Sequence, residues 1–167
     1  MKPLSSPLIS FDLDDTLICY QPTTPREPNR VPRLLRPWFK EPVRAGTTNL
    51  MRTLVAEGWR IAIYTTSHRS RGAIRGLLRY YGVRPALLVN QVEHERALAR
   101  QGCPRGPTKW PSLFGIRLHV DDSEGVLLEG RQFGFEVVVV RPDDLQWADV
   151  VLDAARAVSR RAGSTAV

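Results

Sequence analysis

Lysine is scarce in this 167-residue chain: Lys2, Lys40 and Lys109 are the only ones, and arginine supplies the rest of the 24 basic side chains. Cysteine is equally sparse. Cys19 and Cys103 permit one disulfide arithmetically, but no Cys or His spacing of the metal-binding kind accompanies them, which excludes a zinc module. With no secretory signal either, both thiols are expected to be reduced and structural. No apolar run approaches the ~20 residues that span a bilayer. The amino terminus, MKPLSSPLISFD, carries a proline and a serine pair before its short apolar run. It therefore lacks the form of a signal peptide. The expected location is the cytoplasm, with no membrane association. A phosphate-binding-loop kinase is excluded as well, because no G-x-x-x-x-G-K-[ST] occurs and Gly102 to Lys109 has the wrong spacing.

What is present is a chain with 43% hydrophobic and 25% charged residues, the balance of a soluble globular protein. Its length allows one domain, residues 1–167, with a well-filled core. The net charge of +7 and pI near 10.1 favour phosphate-bearing partners. An arginine bias is also what a coding preference produces, so specific nucleic-acid binding is a subordinate expectation.

Strands and helices alternate along the chain. Apolar runs predict strands at 8–13, 60–65, 86–89, 116–120 and 136–140. Helical spacing predicts helices over 47–57, 70–81, 93–100, 124–133 and 145–158, with a frayed tail from Arg160. This alternation predicts a three-layer, Rossmann-like α/β fold around a mostly parallel five-stranded sheet. In such sheets ligands bind beyond the carboxyl ends of the strands, where the strand order reverses. Each feature with chemical character falls at such an end: Asp12, Asp14 and Asp15 after the first strand, Thr65 and Thr66 after the second, and Asp121 and Asp122 after the fourth.

Acids brought together from distant parts of a chain raise one another's pKa unless a cation neutralises them. Carboxylate and carbonyl oxygens suit a hard ion, and Mg²⁺ characteristically bridges a few carboxylates to a phosphate. A hydroxyl from Thr65 or Thr66 and the movable charge of Lys109 suit phosphoryl oxygens. An aspartate near phosphorus can itself attack, forming an aspartyl-phosphate. A second acid two residues later points elsewhere and is placed for proton transfer.

The segments FDLDDTL, IAIYTTS, the lone Lys109 and LHVDDS, in that order, resemble the four motifs of the haloacid dehalogenase (HAD) superfamily of phosphohydrolases. The resemblance runs from residue 8 to about 158. It implies a HAD-like fold and a Mg²⁺-dependent phosphomonoester phosphatase with Asp12 as nucleophile. Asp14 is implied to be the general acid/base whose backbone carbonyl also meets the metal. Thr65 and Lys109 are the implied phosphate anchors. Asp122 is the implied metal ligand, with Asp121 its supporting neighbour, although these two could exchange roles. Thr66 stands where the family commonly has Asn, so either threonine could face the phosphate. Lys109 also lies closer to Asp121 than its counterpart does in many relatives.

Residues 18–46, rich in Pro and Arg, are long enough for a flap but too short for a separate cap domain. In this family an open site goes with large substrates or with closure by a partner subunit. Arg26, Arg30, Arg33, Arg36 and Lys40 could then guide an anionic substrate and Trp38 and Phe39 contact it; the alternative is solvated arginines and aromatics closing the loop onto the body. His119 is expected inside and satisfied and His94 on the surface, while substrate contact by His68, just beyond the second motif, is a subordinate reading. Trp59 and Trp147 are expected to pack, and Trp110 to help fix the Lys109 loop. The substrate is expected to be a phosphorylated small molecule, protein or nucleic-acid end. A response-regulator receiver has its acids, hydroxyl and lysine in a different order. The competing reading is a non-catalytic HAD-like module that binds a phosphorylated or nucleic-acid partner through its arginine-rich face.

Overall fold

A computed structural model describes residues 6–103 and 105–164. Its elements are β1 (Leu8–Phe11), α1 (Thr47–Ala56), β2 (Arg60–Tyr64), α2 (Arg71–Tyr80), β3 (Leu87–Val89), α3 (Gln91–Arg100), β4 (Ile116–Asp121), α4 (Glu124–Phe133), β5 (Val137–Val139) and α5 (Trp147–Ser164). The sheet order is β3-β2-β1-β4-β5, and every pairing is parallel. From β1 the chain builds outward through β2 and β3, then returns to lay β4 on the other side of β1. The reversal therefore lies between β1 and β4, and a crevice opens at their carboxyl ends.

Strand alternation sorts the two faces of the sheet. Ile9, Phe11, Ile61, Ile63, Leu118 and Val120 join the main core, with Leu50, Met51 and Leu54 of α1, Ile74, Leu77 and Leu78 of α2, and Val151 and Ala155 of α5. The intervening positions point the other way. There Ala62, Tyr64 and Val89 form a smaller apolar cluster, joined by Ile116, which pairs with Leu8 before the β1–β4 register shifts. Ser10 and His119, paired across β1 and β4, are completely buried. The second face thus carries polar groups inside the protein, and they lead directly to the strand-end acids.

The predicted elements are found with shifted ends. The sharpest difference is at the carboxyl terminus, where α5 continues as helix to Ser164 instead of fraying from Arg160. Val158 is buried among the core residues near that end, which gives the added turns an apolar face to hold. The last three residues lie outside the described ones.

Residues 18–46 are mostly irregular. They contain one short 3-10 turn, Arg33–Leu35, and isolated bridges of Ile18 with Val43 and Arg26 with Arg44. Val31 and Val43 are buried and anchor the segment. Phe39 packs on Tyr80, with ring centroids 5.6 Å apart, and closes the loop onto the body. Gly76 makes that approach possible, because a Cβ there would fall 2.7 Å from the Phe39 ring. Arg44 is buried at the base of the segment, its guanidinium 4.5 Å from the centre of the Trp147 ring. It donates to the carbonyls of Arg141 (2.6 Å), Asp144 (2.8 Å) and Thr16 (3.4 Å), tying the segment to the chain leading into α5. Trp38 is 72% exposed, and Arg26, Arg30, Arg33, Arg36 and Lys40 all lie at the surface. No helix among the described residues is long and apolar enough to cross a membrane.

Candidate active site

Asp12 follows β1 immediately, and its amide donates to Val120 O at 2.9 Å, which extends the β1–β4 pairing by one residue. The chain then turns sharply. Asp15 adopts a left-handed backbone (φ 56°), and its amide donates to Ile18 O. Aspartate tolerates that conformation better than most side chains. Asp15 accordingly shapes the turn that presents Asp12 and Asp14. Asp121 ends β4, so the acids from the first and last motifs meet across the two adjacent strands. Asp12, Asp121 and Asp122 each offer a carboxylate oxygen, all within 4.8 Å of one another.

Lys109 enters this cluster from the loop after α3. Its buried ammonium lies 2.8 Å from Asp12 Oδ1 and 2.5 Å from Asp121 Oδ2. Burial opposes its charge, but Asp12 and Asp121 outweigh that and raise its pKa. Asp121 is fully engaged: Oδ2 also accepts from His119 Nε2 (2.9 Å), and Oδ1 accepts from the Ser123 amide (2.9 Å). Burial disfavours its ionised form too, but His119 and Lys109 reverse that and hold its carboxyl down at about 2. His119 Nδ1 lies 2.7 Å from Ser10 Oγ. Burial lowers the His119 pKa. A neutral ring accepting from Ser10 and donating to Asp121 satisfies all three groups, so His119 is the satisfied inner histidine the sequence suggests.

Asp12 and Asp122 are in the opposite condition. Burial raises the Asp12 carboxyl, with Lys109 offsetting part of the effect and Asp121 adding to it. Burial, then the neighbouring Asp121, raises Asp122. Burial thus disfavours the charge on both carboxylates, which a bound hard cation would favour again.

Of the two threonines, Thr65 is buried at the end of β2; its amide donates to Val89 O (3.0 Å), and its Oγ1 accepts from Ser67 N (3.1 Å). Thr66 is exposed and faces a different cleft with Gln91 and His94. His68 is exposed.

The Lys109 loop is held by residues the sequence left unassigned. His94, expected on the surface, is buried, which corrects that reading. Its Nδ1 lies 2.6 Å from Tyr64 Oη, and its Nε2 lies 3.1 Å from Pro107 O. Tyr64 Oη in turn accepts from the Trp110 amide (2.8 Å), on the far side of Lys109. Glu129 accepts from the Thr108 amide (2.9 Å) and hydroxyl (2.7 Å). Trp110 helps fix the loop through this backbone bond, while its ring packs on Phe133. The polar composition of α3 conceals His94, because a single buried polar side chain leaves no periodic signal. Both cysteines are free. Cys19 is buried, with burial pushing its thiol to about 11, whereas Cys103 is exposed.

The Asp14 carboxylate stands outside the three-acid cluster. Both its oxygens accept from Arg69, Oδ2 from one terminal nitrogen at 2.7 Å and Oδ1 from the other at 2.8 Å.

No protein-family model and no curated protein matches the chain. Among solved structures it is similar to a chain of a Pnkp1/Rnl/Hen1 complex, with TM-score 0.54 and 13% identity over 87% of its own length. It spans about half of that neighbour, 49% of its length. It is also similar to the HAD domain of the effector protein Lem4 from Legionella pneumophila. An inactive mutant of that domain aligns with TM-score 0.49 and 12% identity over 89% of this chain and 92% of that one. Another structure of the domain aligns with TM-score 0.47 and 14% identity over 89% and 93%. Likeness at such identity is likeness of fold. The all-parallel sheet in the order 3-2-1-4-5, with acids at the ends of the central strand β1 and its neighbour β4, is the three-layer, Rossmann-like α/β fold that the alternation of elements predicts.

Proposed function

We infer that this chain is a HAD-type phosphohydrolase that cleaves phosphomonoesters with Mg²⁺, through an aspartyl-phosphate on Asp12, and works in the cytoplasm. The observation that carries this reading is the placement of the Lys109 ammonium against Asp12 and Asp121, beside three acids whose oxygens lie within 4.8 Å. The donor set fits a hard divalent ion. Asp12 and Asp122 would hold it, with the Asp14 carbonyl that the sequence resemblance implies. Asp121, already held by Lys109, His119 and the Ser123 amide, would support them. Mg²⁺ bound there supplies positive charge to the phosphoryl oxygens.

The chain's own residues account for the remaining chemistry. Lys109 opposes the rise in the Asp12 carboxyl and draws phosphoryl oxygens toward it, and the Thr65 hydroxyl offers a donor from the neighbouring strand. An Asp12 carboxylate oxygen attacks phosphorus; the new O–P bond forms as the bond to the leaving oxygen breaks, and Asp14 gives that oxygen a proton. Water then attacks the same phosphorus, Asp14 takes its proton, and inorganic phosphate leaves with Asp12 restored. A phosphorylated small molecule, a protein or a nucleic-acid end presents the same group to this site.

Asp12→Asn is expected to abolish hydrolysis of an aryl phosphate while the circular dichroism spectrum stays unchanged. A chelator should likewise stop the wild type. Unchanged turnover in Asp12→Asn would overturn the covalent mechanism. A wild type that hydrolyses no phosphate ester with Mg²⁺ would favour the non-catalytic module, for which the exposed Trp38 and its surrounding arginines provide a binding face.

A further inference from the structure

The function proposed above leaves unexplained why an arginine grips the proton-transfer residue. Arg69 sits four residues beyond Thr65, in the irregular stretch before α2. Its guanidinium makes the two-pronged contact with Asp14, donates through Nε to Glu41 Oε1 at 2.7 Å, and reaches Ser67 Oγ at 2.9 Å. Glu41 lies in the 18–46 segment, and its Oε1 also accepts from Tyr20 Oη, another residue of that segment. The Arg69 amide donates to Ser67 Oγ and its carbonyl accepts from Asn90 Nδ2, so the backbone carrying the guanidinium is fixed as well. One side chain thereby connects three pieces of chain that are remote in sequence: the turn after β1, the loop after β2 and the flap.

We propose that Arg69 is a positioning residue that orients Asp14 for proton transfer and fastens the 18–46 segment to the site through Glu41. This rests on the role given to Asp14 above. The Asp14 side chain is 45% exposed and, among the described residues, Arg69 alone holds its carboxylate, so without Arg69 it would sample several rotamers. A planar guanidinium engaging both oxygens fixes the carboxylate plane in a way that a lysine ammonium does not. Glu41 holds Arg69 through Nε, so the seated flap braces the guanidinium alongside Ser67. The flap is in this sense part of the catalytic geometry.

The test combines kinetics on an aryl phosphate with amide hydrogen exchange of the full chain. Arg69→Ala should lower kcat by about 10- to 100-fold, the scale of loss for a misplaced catalytic group, with KM changed by less than about threefold. In an Asp14→Asn background the same change should cost almost nothing more, because both substitutions remove one function. Arg69→Lys should recover only part of the loss. Independently of turnover, both Arg69→Ala and Glu41→Ala should speed exchange of the amides in residues 18–46, with Glu41→Ala lowering kcat less. A full additional loss in the Asp14→Asn background, or a change in KM alone, would overturn the positioning role. Unchanged exchange in the segment would overturn the fastening. If no variant turns over any substrate, the exchange measurement still decides whether Arg69 ties the flap to the site, while the hydrolase reading fails separately.

Discussion

At the scale of single residues, the site depends on polar groups buried where water cannot serve them. His94 is a case whose consequence reaches beyond catalysis. Its ring accepts from Tyr64 at Nδ1 and donates to the Pro107 carbonyl at Nε2, an arrangement that only the neutral form satisfies. Burial lowers its pKa below the ordinary 6.5, with the Pro107 carbonyl partly opposing the shift. The unfolded chain therefore binds more protons than the folded one at pH values between the lowered value and 6.5. Stability is complete above 6.5 and declines as pH falls below it. The midpoint of thermal unfolding should drop on going from pH 7 to pH 5. His94→Gln should flatten that dependence without removing it, since His119 is buried and lowered in the same way. An equal slope in the variant would show that His94 does not titrate on unfolding. The same substitution loosens the Lys109 loop, so kcat should fall even at neutral pH.

At the scale of elements, the strands and helices were legible because their signals are local and repeated. Alternating apolar residues mark the sheet, and Gly58 and Gly82 end the first two helical runs. The acids were legible for a related reason, since a strand that stops in Asp-x-Asp-Asp or Asp-Asp has few structural uses for so many charges. What connects the elements was not legible. Arg69 meets Glu41 and Asp14, 28 and 55 positions away, and Arg44 meets carbonyls up to 100 positions away. Nothing in the spacing of an arginine-rich chain singles out those two side chains. Arg44 shows what such a connection contributes. It is buried under Trp147 and serves three carbonyls, so Arg44→Ala leaves acceptors unpaired and a cavity beneath α5. A cost of about 3 kcal/mol is expected. For a domain of this size that lowers the unfolding midpoint by about 6–12 °C. Arg44→Lys should recover little, because one ammonium cannot reach the Arg141 and Asp144 carbonyls and also lie flat on the indole ring. Thermal melts of the two variants would decide this, and a loss below about 1 kcal/mol in Arg44→Ala would remove the claim.

At the scale of the whole molecule, charge is sorted by depth. The chain carries a net +7, with the flap arginines exposed, whereas the crevice between β1 and β4 gathers three carboxylates around one ammonium. With all of them ionised, that crevice holds two surplus negative charges and would repel the phosphate that the surface attracts. A divalent ion bound there, as proposed, would bring the crevice to neutrality, and metal and substrate would then belong to the same site. The metal must then also stabilise the fold, because the unfolded chain disperses the three acids and binds the ion far more weakly. At a Mg²⁺ concentration about 100-fold above its dissociation constant, linkage predicts about 2.7 kcal/mol of added stability. That corresponds to a rise of about 5–11 °C in the unfolding midpoint. Asp122→Asn should lose most of this rise, while Glu124→Gln, an exposed position in the first turn of α4, should keep it. Burial raises the Asp12 and Asp122 carboxyls, so protons compete with the ion, and the Mg²⁺-induced rise should shrink as the solution is acidified. A melting temperature indifferent to Mg²⁺ would mean that the acids are balanced by Lys109 and their hydrogen bonds alone, and the crevice would then have no means of admitting a phosphate.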